Sequence, residues 1–327
     1  MGETMKLLVT GGAGYIGGTV ATILMQAGHR VTVLDNLCHS KRDEVPDGVE
    51  FLHADIADRP RVETLLRELQ PDAVLHFAAL IEAGESMQKP EIYFRNNTAS
   101  TLALLEAMHA TGVKKLVFSS TAAVYGEPDH VPIDESAKVA PANAYGESKL
   151  MVEQMLTWLH RIHGLRYASL RYFNVAGALP GRGEAHEPET HLIPLILDVA
   201  LGRREKIFVY GDDYDTPDGT CIRDYIHVVD LAAAHILALE ALNGRDRLIC
   251  NLGNGQGFSV KEVIEAARRV TGHPIPVEIK PRRAGDPARL VASAERAKAE
   301  LGWRPERPTI DEILASAWEW HQQRYTR

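Results

Sequence analysis

The sequence predicts an α/β fold: a doubly wound parallel sheet, followed by a smaller α/β domain. Three observations carry this. Short runs rich in Val, Leu and Phe alternate with helix-length amphipathic stretches through the first half, the pattern of βαβ crossovers. The apolar runs are continuous rather than alternating with polar residues, as in strands buried on both faces. After about residue 175 the pattern gives way to Gly- and Pro-rich loops and separate helical stretches, which marks a second domain.

Strands of the sheet are expected at 6–10, 31–35, 50–55, 73–79 and 115–120. Helices are expected between them at 16–26, 61–69 and 97–111, with Gly28 and Gly112 placed as stops. A long helix at 144–163 and a strand at 167–173 complete a first domain, 1–175. Beyond it, 177–188 and 211–220 read as irregular loops, and 192–201, 229–242 and 260–270 as helices. Ser259 and Glu262 have the spacing of a capping box, as do Thr309 and Glu312 before the helix carrying Trp318 and Trp320. The second domain, 176–327, is expected to be discontinuous, with 224–242 returning to the first and the active site between the two.

Composition removes several function classes. In 327 residues, 36 Lys plus Arg stand against 44 Asp plus Glu, a formal net charge of −8. A nucleic-acid binder normally shows a basic excess, so no nucleic-acid partner is expected. Cys38, Cys221 and Cys250 are odd in number, far apart and without a CxxC, which argues against a disulfide framework or a zinc site. No apolar run approaches the roughly 18–20 residues of a membrane span, and no leader-like segment precedes the first strand, so a cytoplasmic protein is expected. Met5 competes with Met1 as the native start. His160 and His163, and His186 and His191, are closely spaced, but no carboxylate or Cys spacing completes a site, so no metal is expected.

Gly11, Gly14 and Gly17 form a GxxGxxG pattern between the first strand and the first helix. Small residues there permit a tight turn and bring the backbone close to a pyrophosphate, which meets free N–H groups and the positive end of the helix dipole. Glycines also serve ordinary turns, but here the strand–turn–helix context is present, and Asp35 ends the next strand about twenty residues on. A carboxylate at that point accepts hydrogen bonds from ribose hydroxyls and repels a 2′-phosphate, favouring NAD over NADP. Lys41 and Arg42 lie further along and soften that preference.

Tyr145 and Lys149 are four apart, hence on one face of a helix. Alone, YxxxK is a chance pattern. Here it follows a glycine-fingerprint sheet, with Ser119-Ser120-Thr121 at the end of a preceding strand. A phenol of pKa near 10 needs a nearby cation to act as a base at neutral pH, and Lys149 and a nicotinamide ring can supply one. The arrangement suits oxidation of an alcohol by hydride transfer to NAD, with Tyr145 as base and Thr121 on the reacting oxygen.

These features, with Ala54-Asp55-Ile56, His76-Phe77-Ala78-Ala79, Ser119-Ser120-Thr121-Ala122-Ala123-Val124-Tyr125-Gly126, Arg171-Tyr172-Phe173-Asn174 and Gly219-Thr220-Cys221-Ile222-Arg223-Asp224-Tyr225-Ile226-His227-Val228, resemble the extended short-chain dehydrogenase/reductase superfamily. Within it, the chain is similar to the UDP-hexose 4-epimerases from Met5 onward. The resemblance implies a Rossmann-type sheet with a nucleotide-sugar-binding second domain. It implies tightly bound NAD, a homodimer, and interconversion of UDP-galactose and UDP-glucose by transient oxidation at C4. Tyr145, Lys149 and Thr121 would be catalytic. Tyr15, Ile16, Asn36, Asp55, Ile56, Phe77, Ala78, Ala79, Asn96 and Phe173 would line the cofactor together with the glycines and Asp35. Asn174, His191, Leu192, Phe208, Tyr210, Arg223, Arg282, Asp286 and Leu290 would hold the nucleotide sugar. Helices 97–111 and 144–163 are the candidates for a dimer interface.

Departures narrow the choice. Sugar-nucleotide 4,6-dehydratases carry an Asp–Glu pair after the threonine, where this chain has Ala122 and Ala123, which can supply neither acid nor base. A UDP-glucuronate epimerase or decarboxylase is the closer rival, but no groups for a C6 carboxylate are identifiable. A non-catalytic NAD(H) sensor would be expected to lose Tyr145 or Lys149, and both are present. Ile81 stands where some relatives carry Lys. Leu290, smaller than the Tyr of some relatives, is compatible with room for an N-acetyl group and hence UDP-GlcNAc/UDP-GalNAc, and equally with ordinary packing.

Overall fold

The structure is a computed structural model that describes residues 4–283 and 286–325; a Met1 start lies outside them. Its strands are β1 (Lys6–Thr10), β2 (Arg30–Asp35), β3 (Glu50–His53), β4 (Ala73–His76), β5 (Lys115–Thr121), β6 (Arg166–Tyr172), β7 (Asn174–Ala176), β8 (Ile207–Tyr210), β9 (Ile222–His227), β10 (Arg247–Leu252), β11 (Gly257–Ser259), β12 (Val277–Lys280) and β13 (Arg289–Leu290). Its helices are α1 (Tyr15–Gln26), α2 (Arg59–Leu69), α3 (Ala83–Ser86), α4 (Pro90–Tyr93), α5 (Ser100–Thr111), α6 (Ala144–His163), α7 (Leu192–Ala200), α8 (Val228–Ala241), α9 (Val260–Thr271), α10 (Glu295–Leu301) and α11 (Ile310–Tyr325).

The chain divides into two compact units. The first takes the residues up to Gly126, then Val139–Arg171 and Ala232–Cys250. It is built on a seven-stranded sheet in the order β10-β6-β5-β4-β1-β2-β3. β1 pairs in parallel with β2 and β4, β2 with β3, and β4 with β5. The order reverses at β1, so the C-terminal ends of β1 and β4 flank the switch point where open α/β sheets bind ligands. Leu8, Leu34, Val74, Leu116 and Phe118 of the strands pack on Leu65 and Leu66 of α2, Leu104 and Met108 of α5, and Val152 and Leu156 of α6. Both faces of the sheet are apolar because helices cover them, which explains the unbroken hydrophobic runs.

The second unit takes Glu127–Lys138, Tyr172–Leu231 and the residues from Asn251. It holds a four-stranded sheet in which β9 pairs with β7, β11 and β13, and a separate parallel pair, β8 and β12. Its core joins Ile193, Ile196 and Leu197 of α7 to Val263 and Ile264 of α9 and to Ile313 and Leu314 of α11. Ser259 Oγ accepts from Glu262 N (3.0 Å) and the Glu262 carboxylate accepts from Ser259 N (2.7 Å), closing the capping box that starts α9.

The boundaries differ from the sequence reading in two places. The stretch belonging to the sheet unit is 232–250, later than 224–242, because β9 is taken up by the second unit's sheet and β10 adds an edge strand to the first. Residues 127–138 belong to the second unit: Ile133 N donates to Val291 O (2.8 Å) and Asn251 Nδ2 to Ile133 O (2.9 Å). No periodicity marked that segment.

Candidate active site

β1 delivers the glycine turn. Gly11 has φ +73°, and a Cβ there would lie 2.5 Å from Ala78 N; one on Gly17 would lie 2.3 Å from Gly11 O. The turn therefore presses against the end of β4 and against its own helix as only glycine permits. α1 opens at Gly14 without a side-chain cap hydrogen bond, and Tyr15 and Ile16 begin it, partly exposed. Asp35, at the end of β2, accepts from Ala13 N (3.1 Å) and Leu37 N (2.8 Å). Burial nonetheless pushes its carboxyl above the usual range.

Around this turn lie most of the expected cofactor residues. Asn36 Nδ2 donates to Asp55 Oδ2 (2.9 Å), while Ile56 is buried in the core. β4 ends at His76, earlier than expected, so Phe77, Ala78 and Ala79 leave the sheet partly exposed. Phe77 packs on His235 at 4.9 Å between ring centres. The segment Phe94–Ala99, expected as ordinary helix from 97, is a π-helical turn leading into α5. Such turns insert a residue into the helical spacing.

Asn97, in that turn, is a residue the sequence reading missed. It is 2 % exposed and uses its whole amide: Oδ1 accepts from Leu80 N (2.8 Å) and Asn96 Nδ2 (3.0 Å), and Nδ2 donates to Leu80 O (2.9 Å) and Ser148 Oγ (3.0 Å). It thereby ties the segment after β4 and Asn96 to α6. The signal was an Asn at the head of an apolar helix, which reads equally well as a cap.

α6 starts at Asn143, whose Oδ1 accepts from Gly146 N (2.8 Å), and places Tyr145 and Lys149 one turn apart. Lys149 is 3 % exposed; its Nζ donates to Ser119 O (2.9 Å) and stands 5.0 Å from the centre of the Phe118 ring. Burial pulls its ammonium down to about 7. The low-dielectric surroundings raise the Tyr145 phenol above its usual range, against a smaller opposing effect of the nearby Thr121 side chain. Thr121 Oγ1 accepts from Ala123 N (3.1 Å). β5 thus meets α6 where Thr121, Tyr145 and Lys149 stand close together.

The second unit carries the remaining candidates. Phe173 is buried beside β10, its N donating to Leu252 O (3.3 Å), and Asn174 opens β7, exposed. Arg223, on β9, donates to Asp286 through Nη2 and to Ile222 O through Nη1 (2.8 Å). Leu290, on β13, stands opposite Arg223 in register. Arg282 lies 4.2 Å from the centre of the Tyr214 ring and donates to Asp213 through Nε (2.6 Å). Phe208 and Tyr210 alternate with buried Ile207 and Val209 on β8, and Arg283 covers Tyr210 at 4.0 Å. His191 caps α7 and Leu192 begins it, packed on the second unit's core. The loop before α7 corrects the view that no carboxylate completes a site at His191: donor atoms of Glu184, Glu189 and His191 lie within 4.8 Å of one another. Glu189 Oε1 already accepts from Thr190 N (2.7 Å), His191 N (2.7 Å) and His191 Nδ1 (2.8 Å), so the grouping is in large part a self-bonded turn.

Comparison with known proteins fixes the context. The model of the NAD dependent epimerase/dehydratase family matches residues 7–253. The chain belongs to that family. Over 317 residues it is 58% identical to the UDP-glucose 4-epimerase of Streptomyces lividans, covering 97% of this chain and 96% of the relative. Among solved structures, the UDP-glucose 4-epimerase of Stenotrophomonas maltophila, bound to NAD and formylated UDP-arabinopyranose, superimposes with a TM-score of 0.95 at 45% identity, covering 98% of this chain and 99% of that one. The Bifidobacterium longum enzyme in complex with NAD+ and UDP gives 0.92 at 42% identity and 98% of both chains. For a member of the family, the glycine turn, Asp35 and the Tyr145–Lys149 face all stand on the one sheet unit.

Proposed function

We propose that this chain is a UDP-glucose 4-epimerase, interconverting UDP-galactose and UDP-glucose with NAD held as a resident cofactor. The observation that carries the reading is the near-full-length identity to such epimerases combined with a complete Thr121–Tyr145–Lys149 group. The residues fit NAD: the turn has no room for a Cβ at Gly11 or Gly17, and α1 begins on backbone N–H groups that suit a pyrophosphate. Asp35 is placed for ribose hydroxyls, with Asn36, Asp55, Ile56, Phe77, Ala78, Ala79, Asn96 and Phe173 as further contacts. Bound NAD would supply the acceptor of two electrons from C4 and, in the return step, their donor.

The chain's own residues manage the proton and the anchor. Thr121 holds the sugar 4-hydroxyl, and Tyr145 takes its proton as C4 is oxidised and gives it back as C4 is reduced. Burial opposes the phenolate; a protonated Lys149 one turn away is the cation proposed to favour it. In the second unit, Arg223 and Arg282 take the two phosphates; each guanidinium offers a planar fork of donors. Asp286 takes the uridine ribose, Phe208 and Tyr210 the uracil, and Asn174, His191, Leu192 and Leu290 flank the sugar diphosphate. Fixing only the nucleotide leaves the hexose free to turn about its pyrophosphate and present its other face.

A homodimer through α5 and α6 belongs to the same reading. Leu102 on α5 is 41% exposed, and Trp158 and Ile162, one turn apart on α6, are 60% and 67% exposed, apolar side chains that such an interface would cover. No helix among the described residues is long and apolar enough to cross a membrane. A cytoplasmic location is proposed because Cys38, Cys221 and Cys250 form no disulfide among the described residues. The decisive test is to incubate the purified chain with UDP-galactose, without added cofactor, and look for UDP-glucose. No turnover even with added NAD, together with turnover of UDP-glucuronate, would sink the reading.

A further inference from the structure

Three consecutive residues of β5 meet three residues of α6 spaced four apart. Ser119 accepts Lys149 at its carbonyl, Thr121 neighbours Tyr145, and between them Ser120 Oγ donates to Glu153 Oε1 (2.7 Å). Glu153 lies one turn beyond Lys149 on the same helical face and is 3% exposed. Its Oε1 also accepts from Ser169 Oγ (2.8 Å) and Arg171 Nε (3.0 Å), and its Oε2 from Arg171 Nη2 (2.5 Å). Arg171, 5% exposed, completes the set by donating from Nη1 to the Tyr125 hydroxyl (3.0 Å), in the turn that follows Thr121. One carboxylate therefore joins α6 to β5 and β6, and through Arg171 to that turn.

We propose that Glu153 is a positioning residue for the Tyr145–Lys149 pair. The inference rests on the epimerase reading for its activity readout. Apolar side chains of matching volume would hold α6 on the sheet as firmly as a buried ion pair does. What the carboxylate adds is direction. Its oxygens accept only from donors at fixed places, and one donor sits between the β5 residue that receives Lys149 and the one that neighbours Tyr145. A slide or rotation of α6 that would displace either catalytic side chain breaks the Ser120 and Arg171 bonds first.

The test is Glu153→Asp in the full chain. Aspartate keeps the charge, so Arg171 is not left unpaired, but it is one methylene too short to reach Ser120 and Arg171 from the same helix position. Turnover of UDP-galactose is expected to fall ten- to a hundredfold in kcat. KM, and the affinity for UDP alone by titration calorimetry, should stay within twofold. Asp198→Asn serves as the stability control: it removes the carboxylate charge facing His321 (2.9 Å) and Arg203 (2.9 Å) in the second unit and is expected to lower the thermal midpoint with kcat unchanged. If Glu153→Asp, assayed below both midpoints, loses no more kcat than the control, or loses affinity instead, the proposal is overturned. Should Glu153→Asp not fold, Ser120→Ala is expected to lower kcat at least threefold, and unchanged kcat overturns the proposal. If the unaltered chain does not turn over UDP-galactose, the epimerase reading fails separately. The proposal is then read from the Tyr145 phenol by ultraviolet difference titration, with Tyr145→Phe as blank. An upward shift in Glu153→Asp supports it, and coincident curves overturn it.

Discussion

The ammonium of Lys149 stands 2.9 Å from the carbonyl oxygen of Ser119, with the Phe118 ring 5.0 Å away and almost no solvent contact. A lysine so placed titrates near neutrality, at about 7, because burial penalises its charged form. Replacing it by Met keeps the apolar stem and removes the charge. Lys149→Met is expected to lower kcat by about 10²–10⁴-fold, the usual range for a lost acid–base function. Steady-state assays with UDP-galactose, with bound NAD quantified after denaturation, separate a chemical loss from a cofactor loss.

Tyr145→Phe removes the hydroxyl proposed to carry the proton and nothing else of comparable size. Conversion should fall by a similar factor while NAD stays bound. Retained turnover would take Tyr145 out of its role.

His76 predicts the acid limb of stability. It is 1% exposed, bonded to Thr10 Oγ1 (2.7 Å) and Thr101 Oγ1 (2.8 Å), and burial, reinforced by the nearby Lys149, pulls its imidazole down to about 3. Below pH 6.5 the unfolded chain takes up a proton at this residue that the folded chain refuses. The stabilisation it gives at neutral pH is therefore lost as pH falls from 6.5 towards 3, by up to about 1.4 kcal/mol per pH unit. Asp224, raised to about 6 by burial, works the other way between 6 and 3.8. Urea midpoints between pH 7 and 4.5 should fall less steeply in His76→Asn than in the unaltered chain, and parallel curves would count against this assignment.

Arg223 predicts a split between binding and chemistry. If it anchors a phosphate, Arg223→Met should raise KM for UDP-galactose and the Kd for UDP by tenfold or more, leaving kcat within a few-fold. A fall in kcat at unchanged Kd would place Arg223 elsewhere in the mechanism.

The proposed interface gives a physical measurement. Ile162→Glu puts a charge among the exposed apolar side chains of α6 and should yield a monomer by sedimentation at concentrations where the unaltered chain is a dimer. An unchanged mass for the two chains excludes this face.

The sheet unit was legible in the sequence because its strands are buried on both faces and its helices on one, and each produces a periodicity visible without a partner. The second unit was less so. β7, β11 and β13 have two or three residues each, and β8 and β12 four; they are too short to show a period, and only pairing with distant segments makes them strands. The candidate site followed the same division. Local patterns exposed Gly11 to Gly17, Asp35, Tyr145 and Lys149. Asn97 and Glu153 did not stand out, because what distinguishes them is a set of hydrogen-bond partners up to 51 residues away. Residues 127–138 escaped for the same reason: their only signal is tertiary.

The meeting of β5 with α6 also limits what evolution or an engineer can do to this chain. Ser119, Ser120 and Thr121 are distinguished by position more than by chemistry: a carbonyl that receives Lys149, a hydroxyl that donates to Glu153, and a threonine beside Tyr145, three residues of one helix. Substitutions along the strand can be graded, but insertions and deletions cannot. Losing one residue between Lys115 and Phe118 would move all three positions by one and turn each side chain to the opposite face. The sheet could re-pair around such a deletion and still fold, whereas the chemistry would have no partial version to fall back on. Length variation is therefore expected to collect in the loops and to be absent from these seven residues.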